Sequence, residues 1–291
     1  MNSSKTIGIV GCGTMGTGIA IVAARAGFKT RIYDLRPEPL ENARKQAAAF
    51  LKKSVDRGKL PAGEDVLIMS QFLTTTDLKD FADCDLVIEA VFEDLKVKHS
   101  IFKQLNEVCH AETIFASNTS TISITEIAGG SGRADRFVGM HFCLPAQLMK
   151  LVEMSPGMNT SEETFDKAWK LCEDMGQRPV RTRDTPGFIL NYFLIPFHND
   201  VINMVDQGVA TAADIDLAVK TALGYPLGPL ELLDMVGMDT QLLLCEAMHG
   251  LTHEPRAACP PLVKRMIGAG KLGRKSGQGF HTYDSNKIFG A

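Results

Sequence analysis

The stretch GIVGCGTMGTGIA, residues 8–20, spaces three glycines as GxGxxG between a short β-rich run and a helical one. In that pattern Gly11 permits a tight turn, Gly13 lets the backbone approach a pyrophosphate, and Gly16 allows close packing of helix on strand. The helix N-terminus adds free N–H groups and a partial positive charge for the phosphates. The stretch therefore predicts a dinucleotide-binding turn, although an ordinary glycine-rich turn is the alternative. The residues predicted to contact the cofactor here are Gly11, Gly13, Thr14, Met15 and Gly16.

Asp34 is a second feature of the predicted dinucleotide site. It ends the next predicted strand, 23 residues after Gly11, where an acidic side chain can hydrogen-bond both hydroxyls of an adenine ribose. A 2′-phosphate at that place would face a carboxylate, so Asp34 favours NAD over NADP. Arg36, two residues later, weakens the preference, and a plain turn residue at the end of a strand is the alternative for Asp34.

The chain changes character near its middle. Up to about residue 180, short β-rich runs alternate with longer helical patterns, which is typical of buried parallel strands joined by crossover helices. After RDTPGF the apolar spacing is mostly helical. We therefore predict an α/β protein, with a Rossmann-type doubly wound sheet over residues 1–184 and a smaller all-helical domain over residues 185–291. The predicted strands are TIGIV, KTRIYD, DLVIEA, TIFAS, FVGMHF and KLVEM, and the predicted helices of the first domain run through Arg25, from Pro39 to Arg57 and from Leu95 to Val108.

Composition excludes several classes of partner. Of the 291 residues, 45% are hydrophobic and 22% are charged, and the net charge is -3. Such a balance is that of an ordinary globular protein, without an electrostatic drive toward nucleic acid or an anionic membrane. No apolar run reaches the length that spans a bilayer. We therefore predict no nucleic-acid partner and no membrane partner.

The cysteines indicate a reducing compartment. There are seven, an odd number, and none forms a CxxC pair, which argues against a disulfide framework or a structural zinc site. His249 and His253 have the spacing of a helical metal pair, yet no motif marks a third ligand, so we predict no metal. The first residues enter a strand pattern too soon for a signal or transit peptide. The expectation is a complete, cytoplasmic protein.

Five later segments resemble a known family. They are SNTSTISITEIA, GMHFCLPAQLMKLVEM, DTPGFILN, GYPLGPLELLDMVGMD and AGKLGRKSGQGFHTYD. With the glycine loop, and in this order, they resemble the 3-hydroxyacyl-CoA dehydrogenases, especially the bacterial 3-hydroxybutyryl-CoA type. The resemblance extends almost from end to end. It implies an NAD-dependent oxidoreductase that moves a hydride between C3 of an L-3-hydroxyacyl-CoA and the nicotinamide, and a homodimer formed through the helical domain.

The resemblance also implies four catalytic residues. The residue matching His141 is the general base in such enzymes, and the one matching Glu153 orients and polarises its ring, a pairing that fixes the histidine tautomer. Ser120 matches a serine that hydrogen-bonds the reacting oxygen, and Asn191 matches an asparagine that assists there. The alternatives are a structural histidine, a serine that caps the following helix, and an asparagine that hydrogen-bonds backbone at a helix start.

Further residues match the family's ligand contacts. Glu93 and Asn118 resemble contacts near the nicotinamide ribose, and Lys98 resembles a third, although a lysine on the charged helix EDLKVKHSIFKQL would also be expected in solvent. Lys53 and Arg57 lie four residues apart on a helix resembling the one whose cations meet the CoA phosphates. A basic surface helix with no ligand is the alternative for this pair.

The chain departs from the family pattern beside the predicted base. Where the family has His-Phe-Phe-Asn-Pro, this chain has Cys143 and Leu144 at the third and fourth positions, and Gln147 stands where a proline is usual. An amide three residues from His141 is therefore lost, and Leu144 is predicted to contact the substrate. We expect an acyl group bulkier or less usual than hydroxybutyryl. Two other functions stay open, a dehydrogenase of a non-CoA hydroxy acid and a non-catalytic NAD-binding protein.

Overall fold

The computed structural model describes residues 5–283, and the chain divides into two compact units, Met1–Thr185 and Pro186–Ala291. The last residue of the fifth family-like segment, Asp284, lies outside the described residues. No helix within residues 5–283 combines the length and the apolar character that a membrane crossing requires.

The first unit is built on one eight-stranded sheet. Its strands are β1 Thr6–Val10, β2 Lys29–Tyr33, β3 Phe72–Thr75, β4 Leu86–Glu89, β5 Ile114–Ser117, β6 Phe137–Phe142, β7 Leu151–Pro156 and β8 Arg178–Arg181. They are ordered β3-β2-β1-β4-β5-β6-β7-β8, and the first six follow the order of Rossmann folds. The predicted Rossmann-type sheet is therefore confirmed. The carboxyl ends of β1, β4, β5 and β6 lie at one edge, because these neighbours run parallel.

Helices cover both faces of this sheet, which is why the central strands β1, β4, β5 and β6 are buried along their whole length instead of alternating between buried and exposed residues. Residues Ile7 and Ile9 of β1 belong to a core with α1, α2 and α6. On the other face, Phe102 of α4 packs its ring 4.7 Å from that of Phe137. The helices of the unit are α1 Thr14–Arg25, α2 Pro37–Asp56, α3 Glu64–Gln71, α4 Leu95–Val108, α5 Ile124–Gly129 and α6 Glu162–Asp174.

Two details of the sheet differ from the sequence-based expectation. Parallel strands with crossovers were expected throughout, but β6 and β7 pair antiparallel. Their connection, residues 143–150, is shorter than the dozen or so residues that a crossover needs. The strands β3 and β8 were not predicted, because each is short, lies at a sheet edge and is only partly buried. The antiparallel pair has a direct consequence for the site, because it sets residues of β6 opposite residues of β7.

The second unit is helical, as predicted. A buried cluster that includes Ile202, Leu230, Leu233 and Val263 forms its core. Buried Asp234 accepts hydrogen bonds of 2.8 Å from the backbone N–H groups of Phe280 and His281, and so ties the last described segment to the helices. The α-helices of this unit are α7 Leu190–Asp206, α8 Ala212–Leu223, α9 Pro229–Val236, α10 Met238–Thr252 and α11 Pro261–Gly268.

Candidate active site

The glycine loop joins β1 to α1 and leaves room for a ligand. Gly11 has φ +95°, which favours glycine, and a Cβ on Gly16 would overlap the Gly11 carbonyl oxygen. A Cβ on Gly13 would meet no described atom within 4 Å, so the chain is open at the place where a pyrophosphate would approach. Thr14 and Met15 follow as the first residues of α1, whose N-terminal N–H groups suit phosphate. These features fit a dinucleotide.

Asp34 lies beside this loop and is held by it. Its Oδ2 accepts hydrogen bonds from the backbone N–H of Cys12 at 3.3 Å and from the Cys12 thiol at 3.1 Å. Burial, and then the Asp34 carboxylate, raise the pKa of Cys12 to about 12, so the thiol keeps the proton that it donates. Sequence reasoning missed Cys12, because a residue between two glycines carries no pattern that points to a distant aspartate.

His141 and Glu153 form a close pair across the antiparallel strands. They are directly opposite in the β6–β7 register, and His141 Nδ1 lies 2.7 Å from Glu153 Oε2. Glu153 is fully buried, and His141 is 8% exposed. A carboxylate accepts hydrogen bonds, so the tautomer of His141 with its proton on Nδ1 fits this contact and directs the lone pair of Nε2 to the other side of the ring.

Ser120 lies on that other side. Its Oγ is 3.1 Å from His141 Nε2, so the three side chains make a continuous chain of contacts from Glu153 to Ser120. The alternative, in which Ser120 caps the next helix, is wrong. The cap of α5 is Ser123, whose side chain accepts from the N–H of Glu126. Ser120 is therefore left in the loop between β5 and α5, facing the histidine.

Asn118 joins two strand ends at the same edge. Its Oδ1 accepts from the backbone N–H of Phe142 at 2.9 Å, and its own N–H donates to the Glu89 carbonyl at 2.8 Å. Asn191 belongs to the second unit, where it lies in the first turn of α7 and donates its N–H to the Gly187 carbonyl. The catalytic role of Asn191 and the cofactor contact of Asn118 stay predictions.

Lys98 is not the solvent-exposed lysine that a charged helix would carry. It is 1% exposed, and its Nζ lies 2.7 Å from Glu89 Oε1 and 3.1 Å from Glu93 Oε2. The alternative of a solvated side chain is therefore wrong. The two carboxylates compensate the charge of the buried ammonium. Sequence reasoning missed Glu89, although a glutamate inside an otherwise apolar strand was an available signal.

Glu93 accepts hydrogen bonds from several residues of the loop that carries Ser120, between β5 and α5. Its Oε1 accepts from the N–H groups of Ser120 at 2.9 Å and Thr121 at 3.1 Å, and from the Thr119 hydroxyl. Burial alone would raise the pKa of Glu93, but the Lys98 ammonium and these hydrogen bonds together hold the pKa below its ordinary value. The carboxylate thus stays ionised and keeps its acceptor role.

The segment after β6 presents an apolar surface. Leu144 is 50% exposed, and Leu148 and Met149 in the following turn are exposed as well. Gln147 turns the other way, since its Oε1 is buried and would lie 2.7 Å from a Cβ on Gly18 of α1. The amide of Gln147 therefore does not replace the one that is lost at position 144.

The sequence also singled out Lys53 and Arg57 as contacts of CoA, and Cys143 beside the predicted base. Lys53 and Arg57, at the end of α2, are both exposed, and their contact with CoA phosphates stays a prediction. Burial, and then the Glu153 carboxylate, raise the pKa of Cys143 to about 11, so its thiol is protonated at neutral pH. Within residues 5–283, no three His, Cys, Asp or Glu side chains are gathered as metal ligands.

A glycine loop at the carboxyl edge of a Rossmann sheet, with a histidine–carboxylate pair at that edge, is typical of dinucleotide-dependent oxidoreductases. Residues 6–185 match the family model described as 3-hydroxyacyl-CoA dehydrogenase, NAD binding domain, and residues 187–283 match the C-terminal domain of that family. The chain therefore belongs to the 3-hydroxyacyl-CoA dehydrogenase family of NAD-dependent oxidoreductases. The resemblance found in the sequence and the prediction of NAD are confirmed.

Individual relatives match over nearly their whole length. A probable 3-hydroxybutyryl-CoA dehydrogenase of Deinococcus radiodurans is 44% identical, over 95% of this chain and 99% of that protein. The crystal structure of M. tuberculosis FadB2 is similar with a TM-score of 0.93 and 38% identity, covering 97% of this chain and 100% of the other. The (S)-3-hydroxybutyryl-CoA dehydrogenase PaaH1 of Ralstonia eutropha has a TM-score of 0.91 and 35% identity, with the same coverage of both chains.

Proposed function

We propose that this protein interconverts an L-3-hydroxyacyl-CoA and the corresponding 3-oxoacyl-CoA, with His141 as the general base. The observation that carries the proposal is the chain of contacts from Glu153 through His141 to Ser120. It lies at the sheet edge that also bears the glycine loop, and so combines a proton acceptor with a cofactor site. The names of the relatives support an acyl-CoA substrate. When bound, NAD supplies the hydride acceptor for oxidation and the hydride donor for reduction.

The proton follows a short path in this proposal. During oxidation His141 Nε2 takes the proton of the 3-hydroxyl, and during reduction it returns that proton to the 3-oxo oxygen. Glu153 holds the proton on Nδ1 and stabilises the imidazolium that forms. Ser120 donates a hydrogen bond to the reacting oxygen as charge develops there, and Asn191 assists with its amide.

The remaining predicted residues bind the two ligands. In this proposal Glu93, Lys98 and Asn118 contact the cofactor on the nicotinamide side. Their position supports this, because Glu93, which pairs with Lys98, accepts the N–H of Ser120, and Asn118 lies two residues before Ser120. Lys53 and Arg57 pair with CoA phosphates, because exposed cations near the end of one helix can meet a flexible anionic group.

The first experiment measures the oxidation of NADH with acetoacetyl-CoA, beside longer, branched and cyclic 3-oxoacyl-CoAs and matched free 3-oxo acids. Turnover with at least one CoA thioester and none with the free acids is the expected result. Turnover with free acids alone would instead support a dehydrogenase of non-CoA hydroxy acids. A protein that binds NADH and turns over no member of the panel would be a non-catalytic NAD-binding protein.

We further propose that the acyl group is bulkier than hydroxybutyryl. Leu144 replaces a hydrogen-bonding amide with exposed apolar surface, continued by Leu148 and Met149. A polar partner left without that amide would cost about 1–3 kcal/mol. Apolar acyl atoms would instead gain about 25 cal/mol for each Å² that they bury. A substrate with a bulkier apolar acyl group would leave no polar partner unpaired beside Leu144, and would gain free energy by burying apolar surface there.

Leu144→Asn tests this proposal on acyl preference. The variant should raise the efficiency with acetoacetyl-CoA relative to the best bulkier substrate by roughly five- to a hundredfold, the effect of about 1–3 kcal/mol. The measurement is kcat/KM for both substrates. Leu67→Asn, at an exposed leucine of α3, is the control and should leave the ratio unchanged. A parent that prefers acetoacetyl-CoA to every bulkier thioester would rule the proposal out.

Asp34→Ala tests the choice of coenzyme. We expect the parent to prefer NADH to NADPH, since Asp34 accepts from ribose hydroxyls and repels a 2′-phosphate. The variant should narrow the ratio of kcat/KM values by roughly ten- to a hundredfold, the effect of losing a charged hydrogen-bond acceptor. Asp83→Ala removes an exposed carboxylate that pairs with Lys29 and Arg31, and should not change the ratio. A parent that works better with NADPH would point to Arg36 instead.

We also propose a homodimer formed through the helical unit, in a cytoplasmic setting. Tyr192 and Phe193 of α7 are exposed, and the Phe193 ring stacks 5.9 Å from that of Phe197. Exposed aromatic side chains on one helix are typical of a surface that a partner covers. All seven cysteines are free thiols, which suits a reducing compartment. Sedimentation velocity of the whole protein measures the oligomeric state.

A further inference from the structure

Glu89 is a buried carboxylate to which the proposed chemistry gives no task. It ends β4 at the carboxyl edge of the sheet and is fully buried. Both of its oxygens are engaged, Oε1 by the Val91 N–H and the Lys98 ammonium, each at 2.7 Å, and Oε2 by the Ser117 hydroxyl at 2.6 Å. Burying a charge is costly unless it serves as an acceptor in such a network. Through the partners of its two oxygens, Glu89 is connected to the rest of the site by two separate series of hydrogen bonds.

The first series runs through Lys98. Its ammonium bridges Glu89 and Glu93, and Glu93 in turn accepts the N–H groups of Ser120 and Thr121. A cation shared by two carboxylates holds both in place. If either carboxylate moved away, the charge of the buried ammonium would be only partly balanced, which is costly. The position of Glu93, and with it the backbone at Ser120, therefore depends on Glu89.

The second series runs through Ser117. Its hydroxyl donates to Glu89 Oε2 and accepts the N–H of Thr119 at 3.2 Å. Glu89 thus reaches the loop that carries Ser120 from its other end, where β5 stops. The loop between Ser117 and Thr121 is held on both sides, and the two sets of contacts meet at one buried residue.

We propose that Glu89 is a positioning residue that fixes Ser120 against His141 Nε2, acting through Lys98 and Glu93 on one side and through Ser117 on the other. The inference rests on the proposed function, because it assigns a task to the contact between Ser120 and His141 during turnover. Without this anchor the loop backbone has fewer fixed hydrogen bonds, and the 3.1 Å contact of the serine hydroxyl becomes one of several arrangements. A misplaced donor stabilises the transition state less.

Glu89→Gln tests the anchor, since the side chain keeps its shape while the charge that compensates Lys98 is lost. At saturating NADH and acyl-CoA, we expect kcat to fall roughly tenfold or more. The decisive measurement repeats the exchange in a Ser120→Ala background. If Glu89 acts through Ser120, the exchange should lower kcat of the Ser120→Ala protein by less than about twofold, because the effects of coupled residues on kcat are not additive. A general loss of structure would lower kcat by the same factor in both backgrounds.

Two further variants complete the experiment. Asp85→Asn neutralises a carboxylate that precedes the same strand, at the opposite sheet edge, where it accepts the Thr6 N–H. Its kcat should stay within about twofold of the parent, because Asp85 lies at the opposite sheet edge from the loop that carries Ser120, and distant residues usually do not couple. Ser117→Ala removes the second path alone and leaves all charges in place, so it tests the anchor even if Glu89→Gln does not fold. Its kcat should fall about threefold or more, again only when Ser120 is present.

The outcomes separate the inference from the function that it rests on. A parent without turnover on any acyl substrate overturns the proposed function and the positioning role with it. An active parent whose Glu89→Gln or Ser117→Ala variant loses the same factor with and without Ser120 overturns the positioning role alone. A fall in kcat that occurs only when Ser120 is present supports the positioning role of Glu89.

Discussion

His141→Gln should lower kcat for the reduction of a 3-oxoacyl-CoA by roughly 10²- to 10⁴-fold, the usual contribution of a positioned acid–base group. This corresponds to about 3–5 kcal/mol of transition-state stabilisation. Glutamine can fill much of the space and accept a hydrogen bond, but it cannot hold and return a proton at neutral pH. The loss should therefore appear in kcat rather than in the binding of the coenzyme.

Single-turnover kinetics and an NADH fluorescence titration measure the two quantities separately. The dissociation constant for NADH should change less than about twofold, because His141 lies on β6 and the glycine loop follows β1. His110→Gln replaces an exposed histidine of the same unit and should keep the parent activity. Near-parent turnover in His141→Gln would remove this residue from the role of base.

Glu153→Gln should have the next largest effect, a fall in kcat of roughly 10²- to 10³-fold. The reason is the 2.7 Å contact with His141 Nδ1. For the oxidation, an amide can present its NH₂ group to that nitrogen and so favour the tautomer whose proton sits on Nε2, where the base must be unprotonated. For the reduction, the imidazolium that donates the proton loses the carboxylate that stabilises it. In the Ser-His-Asp triad the matching exchange of aspartate for asparagine costs about 10⁴ in kcat.

The test compares Glu153→Gln with a variant at an exposed glutamate. Glu162 pairs with Arg181 on the surface, so Glu162→Gln should retain the parent kcat. Thermal unfolding of both variants shows whether Glu153→Gln is folded at the assay temperature. A folded Glu153→Gln protein with the parent kcat would mean that the carboxylate neither orients nor stabilises the histidine.

Local pattern was enough for the parts of the site that lie within one turn of chain. The glycine spacing predicted the conformation at Gly11 and the open space at Gly13, because turn geometry and the approach of a phosphate depend on neighbouring residues. The strand FVGMHF, with His141 inside it, was placed at its observed bounds. Glu153 was paired with His141 through family resemblance, and the antiparallel register that sets the two opposite each other was not predicted.

Contacts between residues distant in sequence could not be predicted from local sequence patterns. The strand DLVIEA was predicted, but nothing in it indicated that Glu89 would meet Lys98 and Ser117. The helix EDLKVKHSIFKQL was predicted, yet its sequence left a solvated Lys98 open as the alternative to a ligand contact, since helical spacing shows which residues share a face and not what that face packs against.

By itself, the sequence determined the alternation of strands and helices in the Rossmann-type unit, the helical character of the second unit, the dinucleotide turn and the family. These follow from short-range rules of backbone conformation and hydrophobic period, and from ordered motifs. Only the tertiary structure decided that Ser120 faces His141 instead of capping α5, that Lys98 is buried between two carboxylates, and that the Cys12 thiol donates to Asp34. Each of these depends on how the sheet brings distant strand ends to one edge, where burial leaves a polar group no partner but another protein group.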